Sequence, residues 1–150
     1  MRRIALTLTL VIVAACAKKE EEPPIVVPAP PAASIDLASV AGTWNMQVMG
    51  ATSDSVLTTY TLNATAGPEG WVMNIPNREP LALRITVSGD SIMSEAPEFE
   101  SVLRKGVRVR TSSVLRLSGG SLSGTTTARY TTTGADSIVM LRIIGTRRVM

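Results

Sequence analysis

Arg104-Lys105-Gly106-Val107-Arg108-Val109-Arg110-Thr111-Ser112-Ser113-Val114-Leu115-Arg116-Leu117-Ser118 is the stretch that decides the fold. Val107, Val109, Thr111, Ser113, Leu115 and Leu117 share one face of an extended chain, while Arg108, Arg110, Ser112 and Arg116 share the other. A period of two with an apolar and a polar face is what a strand requires when it buries one side and wets the other. Leu81, Leu83, Ile85 and Val87 alternate with Ala82, Arg84, Thr86 and Ser88 in the same manner. Leu122, Gly124, Thr126, Ala128 and Tyr130 face away from Ser121, Ser123, Thr125, Thr127 and Arg129. No window of comparable length carries the spacing of an amphipathic helix.

Short punctuation separates these runs. Gly89-Asp90, Gly119-Gly120 and Gly134-Ala135-Asp136 each lead into a serine and then an apolar run, which suits hairpin connections. Looser joins fall at 50–55, 64–70, 76–80 and 97–106. This partition predicts eight strands centred near Met46, Tyr60, Met73, Ile85, Ile92, Arg110, Thr126 and Leu141, with links short enough to make successive strands neighbours. The expected fold is all-β: an eight-stranded antiparallel up-and-down meander over residues 37–150. Closure into a barrel is expected over an open sheet, because an open sheet leaves two edges that promote aggregation and no helix is available to cover its apolar face. A barrel of this size has room for side chains and at most one small ligand.

The amino terminus reads as an address. Met1-Arg2-Arg3, an apolar run over 4–13 and then Val13-Ala14-Ala15-Cys16 resemble a bacterial lipoprotein signal. A transmembrane helix needs about 20 apolar residues, more than this run holds, and the flanks suit a processed signal. Cys16 is the only cysteine, so an intramolecular disulfide is impossible. The resemblance implies a signal peptide over 1–15, a diacylglyceryl group on the Cys16 thiol, acylation of the new amine and hence a membrane anchor. With Ala17 rather than aspartate next, it implies the inner leaflet of the outer membrane, the protein facing the periplasm. In an organism with a single membrane the same anchor faces outward on the plasma membrane.

Residues 16–36 then read as the lipidated cysteine and a tether. Lys18-Lys19-Glu20-Glu21-Glu22 precedes a proline-rich run over 23–31, and polyproline II at about 3.1 Å per residue lets some twenty residues reach about 60 Å. Loss of Arg2 and Arg3 takes the 15 basic residues to 13 against 12 acidic ones. The mature protein is thus nearly neutral, and a nucleic-acid partner is not expected.

Within the domain, Gly42-Thr43-Trp44 opens the first strand and Gly145-Thr146-Arg147-Arg148 closes the last. That pairing resembles the lipocalin and wider calycin superfamily, in which a Gly-x-Trp tryptophan packs beneath an arginine after the final strand. The resemblance implies a barrel-floor signature of Gly42, Trp44 and Arg147. Strand phase agrees, since Trp44 shares its face with Met46 and Val48, and Arg147 shares its face with Val139, Leu141 and Ile143. An ordinary core tryptophan with a frayed basic tail is the alternative, as is Arg148 taking the role after a register slip. The Thr-Asp-Tyr-type motif before a late strand is missing.

Alternation of the loops places 50–55, 76–80, 97–106 and 134–136 at one mouth, opposite Trp44 and Arg147. Glu98, Phe99, Glu100, Arg104 and Lys105, facing Asn77, Arg78 and Glu79, form the expected entrance. The candidate ligand-binding residues are Met46, Tyr60, Trp71, Met73, Phe99 and Tyr130, with packing of the barrel core as the competing role for the same side chains. Carriage of a small apolar or amphipathic ligand predicts a cavity of at least a few hundred Å³ opening near Phe99.

Catalysis finds little support: there is no histidine, metal-ligand spacing is absent, and no cofactor is expected. Glu95, Glu98 and Glu100 form the only carboxylate group of note. The outward arginines 84, 108, 110, 116, 129 and 142 suggest either a docking face for an envelope protein or cross-strand pairing, for instance Glu95 with Arg108 or Arg110. The reading is therefore a non-catalytic binding lipoprotein, or an interaction lipoprotein that uses its outer face.

Overall fold

The computed structural model describes residues 33–149. The signal peptide, Cys16 and the tether up to residue 32 lie outside the described residues, as does Met150. The strands run in chain order: β1 (Gly42–Gly50), β2 (Val56–Ala64), β3 (Val72–Asn74), β4 (Leu81–Ala82), β5 (Arg84–Ser88), β6 (Ser91–Glu95), β7 (Phe99–Glu100), β8 (Arg108–Ser118), β9 (Ser121–Tyr130) and β10 (Ile138–Arg147). All pairings are antiparallel, in the order β4-β3-β2-β1-β10-β9-β8-β6-β5, with β7 added to β8.

The sheet curls so that its first and last long strands meet. β1 pairs with β10 from Trp44↔Arg147 to Gly50↔Leu141. The two ends of the strand order, β4 and β5, are separated in the chain only by Leu83, whose N–H donates to Trp71 O at 2.9 Å. One extended ribbon thus pairs with β3 through its first half and with β6 through its second, and the barrel is nearly closed. The all-β meander barrel is as expected from the alternation. The strand count is not eight, because the expected fourth strand is divided at Leu83 and loop 97–106 contributes β7, paired as Phe99↔Val109 and Glu100↔Arg108. Pro76 and Pro80 flank the short β3–β4 link, and proline has no N–H to extend a ladder.

Turn chemistry follows the sequence at the β8–β9 hairpin, where Gly119 and Gly120 have φ of 56° and 79°. Two consecutive positive φ values are what a two-residue hairpin demands, and glycine adopts them without a Cβ penalty.

The end opposite the long loops is plugged. Ile35 N–H donates to Gly89 O, and Asp36 caps a 3-10 turn (Leu37–Ser39) by accepting from Ala38 N–H. Leu37 and Val40 join Trp44, Met46, Leu62, Trp71, Ile85, Ile92, Leu115, Leu122 and Ile143 in one cluster. Trp44 Nε1 donates to Val40 O and Trp71 Nε1 to Gly67 O, each at 2.8 Å, so both buried indoles are satisfied. Among the described residues, no helix is long and apolar enough to cross a membrane.

Candidate functional site

Register explains where the interior fills and where it does not. Across the ladders β6–β8–β9–β10, the row Ile92–Leu115–Gly124–Ile143 is followed toward the long-loop end by Ser94–Ser113–Thr126–Leu141. Beyond it comes Thr111–Ala128–Val139. All these residues share the inward phase, yet along β6 and β8 the side chains shrink from Ile92 and Leu115 to Ser94, Ser113 and Thr111, while β9 offers only Gly124, Thr126 and Ala128 and β10 stays aliphatic. Small side chains leave space that large ones would occupy. The result is an interior pocket with a cavity of about 80 Å³, bordered by Val48, Tyr60, Met73, Phe99, Val109, Tyr130 and Leu141 together with the hydroxyl row.

The candidate ligand residues divide between two heights. Tyr60, Met73, Phe99 and Tyr130 border the pocket. Met46 and Trp71 do not: both are fully buried in the packed floor, where they serve as core. The cavity is smaller than the few hundred Å³ expected of a ligand carrier. It is about half the ~150 Å³ that encloses a benzene molecule, so it suits a guest of a few heavy atoms unless the mouth yields.

No Asp, Glu, Lys or Arg lines this pocket. Its polar groups are hydroxyls: Ser113 Oγ and Thr126 Oγ1 lie 2.8 Å apart, and Ser94, Ser113 and Thr126 are 7%, 7% and 6% exposed. Burial pushes the Tyr60 phenol above its ordinary pKa, with desolvation as the cause.

Loop 97–106 covers the mouth. Ser101 is buried and its Oγ accepts from Leu103 N–H and Arg104 N–H at 3.1 and 3.0 Å, which coils the loop tightly. Val102 and Leu103 border the pocket from this loop. Two arginines tie it down on either side. Arg78 donates to the Glu100 and Ser101 carbonyls, and Arg104 donates to Asp136 O at 3.0 Å with its guanidinium 4.1 Å from the Tyr130 ring centroid. Of the expected entrance residues, Arg78, Glu100 and Arg104 therefore act on the loop itself. Glu98 turns outward to Arg108 and Arg110 at 2.5 and 3.8 Å, and Glu100 Oε1 accepts from Gly106 N–H.

At the opposite end the Arg147 guanidinium lies 4.5 Å from the Trp44 ring centroid and donates to Ala41 O and to Ser39 O. Gly42, at φ 135°, lies beneath it, where an added Cβ would stand 2.8 Å from Arg147 Nη1. These three residues form a lock that ties the end of β10 to the segment entering β1. A cation over an indole contributes about 0.5–2 kcal/mol, toward the lower value here because Arg147 is exposed.

The outer face is dominated by ion pairs. Arg84 pairs with Glu95 at 3.8 Å and Arg116 with Asp90 at 3.3 Å. The Ser91 and Arg116 hydrogen bonds hold the Asp90 carboxyl below its usual range. Glu95 reaches Arg84, not Arg108 or Arg110 as expected, because Arg84 is its direct cross-strand partner. Arg142 reaches Ser53 O and Asp54, but its Nε is buried without a partner. Among the described residues no three metal-ligating side chains gather.

The hydroxyl row is what reading strand by strand did not single out. Its signal is present in the chain: Thr111 and Ser113 interrupt the apolar phase of β8, Ser94 that of β6 and Thr126 that of β9. Their meeting depends on register between strands that are distant in sequence.

No protein-family model, no curated protein and no solved structure matches this chain.

Proposed function

We propose that this chain is a lipid-anchored, non-catalytic envelope protein whose calycin-like barrel holds a small apolar or amphipathic molecule. The observation that carries the reading is the interior pocket under loop 97–106, walled by apolar side chains and floored by buried hydroxyls. Apolar surroundings with a few convergent polar groups are the general make-up of small-molecule sites. The lipobox-like Val13-Ala14-Ala15-Cys16 supports an anchor on the Cys16 thiol, and the proline-rich segment supports a spacer between lipid and barrel. In this reading the protein resides in the outer membrane facing the periplasm, with no cofactor. The Gly42, Trp44 and Arg147 lock closes the far end, so the guest enters and leaves beneath loop 97–106.

Native mass spectrometry of the full chain, released gently from its membrane, tests both halves of the proposal. The expected spectrum shows a mature mass beginning at an acylated Cys16 and a small molecule that is lost on collisional activation. An unacylated chain contradicts the anchor, and an acylated chain that never carries a guest contradicts carriage.

A second reading, docking of an envelope protein through the outer barrel face, is favoured by one observation. Ile138 and Met140 on β10 are 53% and 58% exposed, and Ile138 lies directly across from Arg129, whose other neighbour is Arg110. Met140→Glu should then abolish co-purification of a stoichiometric second polypeptide; retention of that polypeptide rejects this face.

A further inference from the structure

Hydroxyls line both ends of the pocket, but those nearer the mouth are half-buried at Thr58 and Thr111, exposed at Thr59 and engaged by the loop's own N–H groups at Ser101, so the buried serine and threonine row free to meet a guest lies at the inner end. Ser94, Ser113 and Thr126 stand side by side across β6, β8 and β9 at its inner end. Phe99, on loop 97–106, borders it at the mouth. Each of the three hydroxyl-bearing residues is more than nine-tenths buried. A hydroxyl has one donor and two acceptor positions. The Ser113–Thr126 bond uses one donor and one acceptor, and among the described residues Ser94 Oγ has no protein partner. The row therefore retains two donors and several acceptors that face the cavity.

Burying such groups against a purely apolar guest leaves them unsatisfied, which is unfavourable. An ionised head group fares worse at that depth, because no cationic side chain borders the pocket to compensate its lost hydration. Of the cations at the mouth, Arg78 is engaged with the Glu100 and Ser101 carbonyls and Arg104 with Asp136 O and the Tyr130 ring, while Lys105 is exposed and does not border the pocket.

We propose that the pocket selects an uncharged, hydroxyl-bearing short-chain amphiphile and seats it hydroxyl end first, with Ser94, Ser113 and Thr126 as the recognition row and the alkyl end pointing to Phe99. The inference rests on the carriage reading above and adds the class and orientation of the guest. A cavity of about 80 Å³ takes the hydroxyl and the first carbons, and the remaining carbons extend under Val102 and Leu103.

The test uses the full lipidated chain in nanodiscs, with 1-pentanol, pentanoate and n-pentane titrated separately while the threonine, valine and leucine methyl resonances are followed. Empty discs correct the free concentrations. The expected result is saturable 1-pentanol binding, at least about tenfold tighter than pentanoate, with contacts from the carbinol protons to the Thr126 methyl and from the terminal methyl to Phe99. Thr126→Val should weaken 1-pentanol by about two- to tenfold, the loss of one hydrogen bond, without weakening n-pentane. Ser94→Ala is the second variant and should behave alike if Thr126→Val perturbs folding.

Binding of n-pentane and 1-pentanol with a ratio that neither variant changes overturns the recognition row and leaves carriage standing. Tightest binding by pentanoate, weakened by Arg104→Gln, shows the guest with its head outward and likewise overturns it. Binding of none of the three probes overturns the inference and, unless the native chain carries a guest of another kind, the carriage reading with it.

Discussion

The floor and the upper half of the barrel interior are made by the same strands in the same inward phase, yet one is filled and the other is not. In the floor, Ile92, Leu115, Leu122 and Ile143 meet two indoles whose N–H groups are both bonded, and the 3-10 turn closes the end. One step up the ladders, Ser94 and Ser113 stand where Ile92 and Leu115 stood, and a cavity opens beneath a loop held by two arginines. The difference teaches that one barrel can separate its packed and hollow ends by side-chain volume on β6 and β8, with a 3-10 turn plugging one end and a loop covering the other. Strand architecture is shared.

Substitutions that strike the floor should cost most. Trp44→Ala removes one of the two buried floor indoles, orphans Val40 O and strips the surface beneath Arg147; we expect a loss of about 3–5 kcal/mol in urea unfolding. A matched leucine pair sharpens the contrast. Leu122→Ala in the floor should cost about 3 kcal/mol or more, and Leu141→Ala on the pocket wall about 2 or less, because part of the space beside Leu141 is already empty. Equal losses at the two positions would break the distinction between the ends.

The lock under the floor should give a smaller effect. Gly42→Ala forces a Cβ into a positive φ and against Arg147 Nη1, with an expected loss of about 1–3 kcal/mol and a lowered melting temperature.

In the upper half, Tyr60 gives a pH signature. Its folded-state pKa is raised by burial, so the unfolded chain loses the phenolic proton first, near the ordinary value of about 10. The stability contribution is whole below that pH and declines as pH rises above it. Tyr60→Phe should remove this decline, seen as a smaller drop in urea midpoint between about pH 8 and about pH 10.5 than in the parent.

Least affected should be the mouth. Arg104→Ala releases an exposed contact to Asp136 O and Tyr130, with a global loss below about 1 kcal/mol but faster amide exchange at Leu103 and Arg104.

Much of the fold was legible because strand phase is a local property. The alternation in β8 and β9 and the Gly119-Gly120 hairpin need no knowledge of distant residues. Phase says which side of the sheet a residue faces, however, and not how far along the barrel it sits. Met46 and Trp71 therefore read as pocket candidates on the same grounds as Tyr60 and Met73, and only inter-strand register puts the first two in the floor. The split at Leu83 and the short β7 were hidden for a similar reason, since each depends on a pairing set by neighbours and prolines. The row of Ser94, Ser113 and Thr126 is assembled from three strands across more than thirty residues of chain, although each member interrupts an apolar phase in plain view.

The most direct test of an interior divided into a full end and a hollow end is the methyl spectrum of the protein under xenon pressure, since a hollow with mostly apolar walls takes up xenon and close-packed core does not. The account predicts saturable shifts at Val109, Ala128 and Leu141, with Leu62, Leu122 and Ile143 unmoved. Shifts of equal size at both ends, or none at either, would contradict it.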